Sequence, residues 1–262
     1  MPRNLRLTLR ALGLVLGTSC YTLGFVLAWP IARLLGLHIG LRTWVMGRWA
    51  SWCTRCMAIR VRTQGTPPGG AYLMVSNHLG YADIFVIASQ TGCRFVSKSE
   101  VRHWPVVGPL ARLGGTVFVN RSQRKDVLRV GGEIGAAVRE GSGVVFFPEG
   151  TSTRGLGVDP FRSSLLQPAA EAQLPVHYCT LSYRTPPDEV AADMSVAWWG
   201  DMTLGPHLLD LLRLREVQAT LTFGDKPLQG TDRKLLAEEL HRAVSEPFVP
   251  LAAEPESDTA LA

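Results

Sequence analysis

A histidine and an aspartate lie five residues apart in the stretch SNHLGYAD at 76–83, and their types and spacing could support proton transfer. A carboxylate beside an imidazole determines which ring nitrogen carries the proton, so that the other nitrogen can accept one as a general base. The two residues are His78 and Asp83. Alone, the pair is weak evidence, because an aspartate that opens a helix beside a loop histidine is also favourable without any chemistry.

Two further polar turns follow apolar runs downstream. Arg121 ends the stretch FVNR, and Glu149, Gly150 and Thr151 end the stretch FPEGT, with Arg154 close behind. The planar guanidinium of an arginine suits a phosphate or a carboxylate, and a glycine lets the backbone approach a ligand closely. An arginine that opens a helix and a glycine in a tight turn would explain the same residues without a ligand.

The chain shows no activated nucleophile and no metal motif. Residues 150–154 read GTSTR, so Arg154 replaces the last glycine of the G-x-S-x-G nucleophile elbow. Direct transfer is therefore favoured over a covalent intermediate. Cys53 and Cys56 have C-x-x-C spacing, but the five cysteines include no second such pair. They predict reduced thiols, with no metal site.

Strand-like and helix-like patterns alternate from residue 58 onward, which predicts an α/β fold. We expect a mostly parallel sheet covered by helices on both faces, whose polar turns converge on one pocket at the carboxyl edge. The predicted strands are 58–63, 71–76, 94–97, 116–119, 143–147, 176–182, 195–199 and 218–223. One predicted helix follows the His78–Asp83 loop and ends near residue 90. The other predicted helices span 100–113 (broken at Pro105 and Pro109), 122–140, 163–172, 208–214 and 231–245.

Residues 11–31 carry no charge and follow a start with three arginines, which predicts membrane association. A stretch of about 20 apolar residues is long enough to cross a bilayer as a helix. A signal peptide lacks a clear cleavage site here, and three glycines and Pro30 disfavour a buried soluble helix. A helical hairpin in one leaflet, broken near Pro30 and continuing from Ile31 to Trp52, is the third alternative, since Trp and Arg interleave there.

Composition limits the partners. The chain has 262 residues, is 46% hydrophobic and carries a formal net charge of +5, which indicates a globular protein with an anionic partner. A membrane surface, a phosphorylated substrate and a nucleic acid all fit that charge. Nucleic acid is disfavoured because no Lys/Arg block with interleaved aromatic residues and no nucleic-acid motif is present.

The ordered motifs resemble those of the glycerophospholipid acyltransferase family. Asn77-His78 with Asp83, FVNR at 118–121, FPEGT at 147–151 and LPV at 174–176 match four blocks of that family in order and spacing. The similarity is greatest to its 1-acyl-sn-glycerol-3-phosphate acyltransferase branch. We therefore expect membrane-associated helices over 1–57, an acyltransferase domain over 58–249 and a disordered tail over 250–262.

The resemblance implies a reaction of phospholipid biosynthesis. A fatty acyl group would pass from acyl-CoA or acyl carrier protein to the sn-2 hydroxyl of 1-acyl-sn-glycerol-3-phosphate, forming phosphatidic acid. His78 would remove the proton of that hydroxyl, and Asp83 would orient the imidazole. No metal or redox cofactor is implied, and the active site would face the cytoplasm (at the inner membrane if the protein is bacterial).

The same resemblance assigns the substrate-binding residues. An arginine would hold the phosphate, the Glu-Gly-Thr turn would shape the acceptor site, and the fourth block would help to form the acyl site. The residues are Asn77, Arg121, Glu149, Gly150, Thr151, Arg154 and Pro175.

Three departures from the family pattern leave the acceptor open. Gly80 stands where the family commonly has serine, Asn120 where it often has an acid, and Arg154 lies two positions later than the usual arginine. Either Arg121 or Arg154 could therefore hold the phosphate, and another lysolipid such as lyso-ornithine lipid is an alternative acceptor. A non-catalytic lipid-binding membrane protein is a minor alternative.

Overall fold

A mostly parallel sheet forms the centre of the protein. The computed structural model describes residues 2–120 and 123–252, and within them the sheet has seven strands. The strands are β1 (Ile59–Gln64), β2 (Tyr72–Ser76), β3 (Arg94–Lys98), β4 (Val117–Val119), β5 (Gly143–Phe146), β6 (Val176–Arg184) and β7 (Val217–Phe223). Their order across the sheet is β1-β7-β6-β2-β5-β3-β4, and only the β6–β7 pair is antiparallel.

Helices cover both faces of this sheet, as predicted. They are α1 (Arg3–Leu34), α2 (His38–Cys56), α3 (Ala82–Thr91), α4 (Val107–Leu113), α5 (Arg124–Arg139), α6 (Gln167–Glu171), α7 (Ala192–Ser195), α8 (Leu204–Arg213) and α9 (Arg233–Ser245). Two 3-10 helices span Ser99–His103 and Ser163–Leu166. Side chains of α2, α3 and α8 pack on one face, and those of α5, α6 and α9 pack on the other. The central strands β2 and β5 are buried along their whole length, which explains their continuous apolar sequences.

The predicted strand at 195–199 is wrong. Helix α7 ends at Ser195, and irregular backbone follows it. The Ser195 hydroxyl donates to the carbonyls of Val190 and Ala191, and the Trp198 N–H donates to the Leu79 carbonyl at 2.8 Å. These groups bond to local turns and to the His78 loop, so the segment does not join the sheet.

The predicted helix over 100–113 is interrupted once, at Pro105. Pro109 lies in the first turn of α4, where a missing N–H breaks no intrahelical hydrogen bond. Within the predicted disordered tail, Leu251 is buried and its N–H donates to the Gly155 carbonyl at 2.9 Å. The remainder of that tail, 253–262, lies outside the described residues.

The N-terminal segment forms a helical hairpin. Helix α1 continues through Pro30, and the chain reverses at 35–37, where Gly36 adopts a φ of +72°. The predicted break near Pro30 is therefore misplaced by about one to two turns. The Trp49 and Trp52 indoles on α2 donate to Thr18 Oγ1 and to the Gly13 carbonyl on α1, at 3.0 and 2.9 Å. Among the described residues, α1 alone is long and apolar enough to cross a membrane, and little of it is buried in the protein.

Helix α2 packs closely on α3, which joins the hairpin to the sheet. Gly92 ends α3 with a φ of +62°. A Cβ atom built on Gly92 would lie 2.2 Å from the Thr43 carbonyl oxygen of α2. The approach of the two helices therefore requires a residue without a side chain at this position.

Gly92→Ala tests this packing, and Gly70→Ala is the matched control. Gly70 has a similar φ of +69°, but nothing lies within 4 Å of its added Cβ. Both variants introduce backbone strain, whereas only Gly92→Ala pushes α2 away from α3. We expect Gly92→Ala to lower the free energy of unfolding by about 1–3 kcal/mol more than Gly70→Ala does. Denaturant titration of both variants in the same detergent measures this difference. Equal losses in the two variants would contradict the close packing.

Candidate active site

The turn after β2 is fixed by Asn77. Its side-chain amide donates to the Leu181 carbonyl of β6 at 2.9 Å and accepts from the Leu181 N–H at 2.8 Å. Asn77 is buried, so both polar atoms of its side chain are occupied within the protein. Asn77 therefore holds the His78 loop against the sheet.

His78 and Asp83 lie in direct contact at the carboxyl edge of β2. The His78 Nδ1 atom lies 2.8 Å from Asp83 Oδ2, and the Asp83 side chain is fully buried. Oδ2 also accepts from the N–H groups of Leu79 and Gly80, at 2.7 and 3.0 Å, while Oδ1 accepts from the Tyr183 hydroxyl at 2.9 Å. These donors satisfy a carboxylate that would otherwise be costly to bury.

The imidazole of His78 presents one nitrogen to the outside. Its ring stacks on Phe147 with centroids 4.1 Å apart and planes 13° apart, and its side chain is 22% exposed. Because an ionised carboxylate only accepts, the contact with Asp83 places the ring proton on Nδ1. Nε2 has no protein partner within the described ranges, so it is the nitrogen that can accept a proton from a substrate.

Glu149 and Thr153 hold the His78 backbone from the neighbouring strand end. Glu149 Oε1 accepts from the His78 N–H at 2.5 Å, and Oε2 accepts from the Asp159 N–H at 2.9 Å. The Thr153 N–H donates to the His78 carbonyl at 3.0 Å. Gly150, which adopts a φ of +87°, allows the sharp turn between them. The predicted convergence of the two turns is confirmed.

Glu149 has an unusual protonation behaviour. Burial raises its pKa from the ordinary 4.5 to about 8, although the N–H groups of Asp159 and His78 act in the opposite direction. Glu149 is buried, whereas Thr151, two residues later in the same turn, is exposed. The structure thus gives Glu149 the role of positioning the His78 loop.

The remaining predicted residues are placed differently. Arg154 Nε and its terminal nitrogen lie 2.9 and 2.8 Å from Asp193 Oδ2, with the guanidinium over the Trp199 ring. Arg121 lies outside the described residues.

Pro175 is exposed and precedes β6, whose first residue pairs with Leu73 near the start of β2. Pro175 is thus at the opposite edge of the sheet, roughly 13 Å or more from the end of β2, and the structure does not bring it to His78.

Sequence reasoning missed Tyr183, and it interpreted the segment around Trp198 as a strand instead of a neighbour of the His78 loop. The Tyr183 hydroxyl bonds to an aspartate that is 100 residues away along the chain, and no motif marks it. One feature of the sequence indicates the position of Trp198, namely the glycine at position 80. A Cβ on Gly80 would lie 2.9 Å from the Trp198 backbone nitrogen, which explains why serine is absent there.

The cysteines do not form a site. Within the described part of the chain, no three His, Cys, Asp or Glu side chains cluster as metal ligands. Cys53 and Cys56 are buried on α2, and burial raises the pKa of Cys53 to about 12, which disfavours the thiolate that a metal or a redox reaction requires.

Relatives with assigned names match most of the chain. Lyso-ornithine lipid O-acyltransferase of Rhodobacter capsulatus is 34% identical over 218 residues, which are 79% of this chain and 78% of the relative. The enzyme of the same name from Pseudomonas aeruginosa is 32% identical over 237 residues, 81% of this chain and 90% of the relative. This chain belongs to the acyltransferase family. The family model named Acyltransferase matches residues 58–182 of this acyltransferase.

Two further comparisons concern a second group of relatives and the fold. The 1-acyl-sn-glycerol-3-phosphate acyltransferase of Neisseria gonorrhoeae is 30% identical over 156 residues, 60% of each chain. The crystal structure of the 1-acyl-sn-glycerophosphate acyltransferase PlsC from Thermotoga maritima has the same fold, with a TM-score of 0.64 and 17% identity over 93% of this chain and 96% of that one. The predicted family and fold class are confirmed, and the chain is an acyltransferase of lysolipids. The domain boundaries at 57 and 249 stay predictions.

Glu149→Gln tests the placement of the buried carboxyl. Because the folded state keeps the proton of Glu149 up to about pH 8 and the unfolded chain releases it near 4.5, the free energy of unfolding falls across this window as pH rises. Glu149→Gln has no proton to lose. We therefore expect the stability advantage of the unmodified protein over this variant to shrink from pH 5 to pH 8, measured by chemical denaturation at each pH. Parallel curves for the two proteins would contradict the raised pKa of Glu149.

Proposed function

We propose that this acyltransferase transfers a fatty acyl group from an acyl thioester to the free hydroxyl of lyso-ornithine lipid at a membrane surface. The observation that carries the proposal is the extent of the match to the relatives of that name, which align over 78% and 90% of their own length. The two Neisseria relatives named for 1-acyl-sn-glycerol-3-phosphate align over 60% of theirs.

The arginine arrangement supports this choice of acceptor. An ornithine headgroup carries a carboxylate and an ammonium group instead of a phosphate. Arg154, the first arginine after the Glu-Gly-Thr turn in the sequence, is engaged by Asp193 and therefore offers less to a phosphate than an unpaired guanidinium would. Arg121 remains our candidate for the acidic group of the acceptor, by its position in the family motif.

The chemistry follows from the geometry of the imidazole. Nε2 of His78 removes the proton of the acceptor hydroxyl as the oxygen attacks the thioester carbonyl. The tetrahedral intermediate then collapses, the carbon–sulfur bond breaks, and the imidazolium returns the proton to the leaving thiolate. Asp83 stabilises the imidazolium between these steps, because its carboxylate is held 2.8 Å from Nδ1. The products are the ester and a free thiol.

The donor and the location follow from the same chemistry. Acyl-CoA and acyl carrier protein both supply a thioester, and we propose that one of them is the donor, with no metal or redox cofactor. Helix α1 supports membrane association by its length and apolar composition. We place the active site on the cytoplasmic side, where both kinds of thioester are made.

A second candidate acceptor is 1-acyl-sn-glycerol-3-phosphate. It is favoured by the Neisseria relatives, which are named for this substrate and are 30% identical to the chain over 156 residues. The same His78 chemistry would serve its sn-2 hydroxyl, and the product would be phosphatidic acid.

An acceptor panel with two enzymes tests the proposal. The purified protein and His78→Ala would be given lyso-ornithine lipid, 1-acyl-sn-glycerol-3-phosphate or lysophosphatidylcholine, each with acyl-CoA and with acyl carrier protein, and thiol release would be measured. We expect lyso-ornithine lipid to be acylated fastest, and His78→Ala to lose about 10²- to 10⁴-fold in turnover while its unfolding curve is retained.

Two results would overturn parts of this account separately. Faster acylation of 1-acyl-sn-glycerol-3-phosphate would replace the acceptor and leave the mechanism intact. Undiminished turnover by folded His78→Ala would reject the general base and leave the acceptor intact.

A further inference from the structure

A second candidate site lies between the helical hairpin and α4, away from His78. A shallow open groove with a cavity volume of about 50 Å³ separates α1 and α2 from α4, and its lining is mostly apolar. It is formed by Tyr21, Phe25, Val45, Met46, Leu110 and Leu113. Arg42 lies at the same groove, beside the amino end of β3. Because His78 follows the carboxyl end of the parallel strand β2, the groove and the catalytic pair are at opposite edges of the sheet.

Arg42 lines one end of this groove, and the Arg94 side chain packs beside it. A Cβ built on Gly115 would lie 3.2 Å from Arg94 Cδ and 3.4 Å from Arg42 Cζ, so both side chains pack over this glycine. Gly115 has a φ of +78°, which disfavours any other residue. The glycine thus leaves room for the two arginine side chains.

The charge of this arginine pair is incompletely balanced. Arg94 lies 3.3 Å from Glu140, which is largely exposed and is also near enough to Arg42 to act on its charge, and Arg42 contacts the Trp29 ring at 4.8 Å. The Nε atoms of Arg42 and Arg94 are both buried and have no hydrogen-bond partner among the described residues. Burial and the neighbouring Arg94 lower the pKa of Arg42 to about 10. A buried donor without an acceptor is costly, so an anion at this position would be stabilising.

We propose that this groove binds an anionic lipid, with the phosphate or carboxylate of its headgroup on Arg42 and Arg94 and the start of an acyl chain along the apolar lining. The chemistry of both ends supports this occupant: two planar guanidinium groups suit an oxyanion, and the adjoining wall is apolar. Helix α1 forms part of that wall and exposes large apolar side chains beyond it, among them Leu16, Leu23 and Leu27. A bilayer around α1 would supply the lipid directly.

Lipid retention in the full-length protein tests the site. Delipidated protein in a neutral detergent would be titrated with phosphatidylglycerol or with phosphatidylcholine of the same chains, and bound lipid would be counted by native mass spectrometry. We expect phosphatidylglycerol to bind at least about tenfold more tightly, and Arg42→Gln and Arg94→Gln each to remove about tenfold of that affinity. Arg55→Gln is the matched control, because Arg55 is an exposed arginine on the same helix as Arg42, and it should bind like the unmodified protein.

Four outcomes would overturn the proposal. The first is equal binding of the two lipids, and the second is an equal loss of affinity in Arg42→Gln and Arg55→Gln. The third is full binding by both Arg42→Gln and Arg94→Gln. The fourth is displacement of phosphatidylglycerol by equimolar inorganic phosphate, which would indicate a site for free anions. Unfolding curves without lipid would show whether each variant is folded. If Arg42→Gln is not, Arg42→Lys keeps the charge but lacks the Nε donor and the planar fork, and it should still bind more weakly than Arg55→Lys.

Discussion

The buried carboxylate of Asp83 is the constraint on which the catalytic edge depends. It accepts hydrogen bonds from the Leu79 and Gly80 N–H groups, the Tyr183 hydroxyl and the His78 ring, and it is inaccessible to solvent. A buried charge is tolerated only where such donors surround it. The turn from β2 to α3 is shaped to provide them, and this shape is what directs Nε2 of His78 outward.

Neighbouring elements hold this turn in place from three sides. Asn77 fixes it to β6, and Glu149 with Thr153 fixes the His78 backbone to the turn after β5. The Trp198 segment lies against Gly80 and bonds to the Leu79 carbonyl. Asn77 and Glu149, which the family motif assigns to substrate binding, therefore hold the loop that carries the His78 imidazole.

The sequence predicted the sheet, its helical cover and the meeting of His78, Asp83 and Glu149, because long apolar periodicities and the carboxyl-edge rule for parallel strands depend on local pattern. It could not predict Tyr183 or the Arg154–Asp193 pair, which depend on contacts between distant parts of the chain. The predicted strand at 195–199 was wrong because this segment packs on the His78 loop. A buried loop and a buried strand can have the same run of apolar residues, so the sequence pattern alone does not distinguish them. Pro175 was assigned by motif, and strand direction places it at the other edge.

The tautomer of His78 is the most direct test of the account. Selective ¹⁵N labelling of histidine, with the His78→Ala spectrum to assign the signal, reports which ring nitrogen bears the proton at pH 8. The contact with Asp83 predicts a protonated Nδ1 and an unprotonated Nε2, and it predicts that Asp83→Ala, which removes the acceptor, loses this preference. A proton on Nε2 in the unmodified protein, or the same tautomer with and without the carboxylate, would contradict the role of Asp83 and with it the assignment of His78 as the general base.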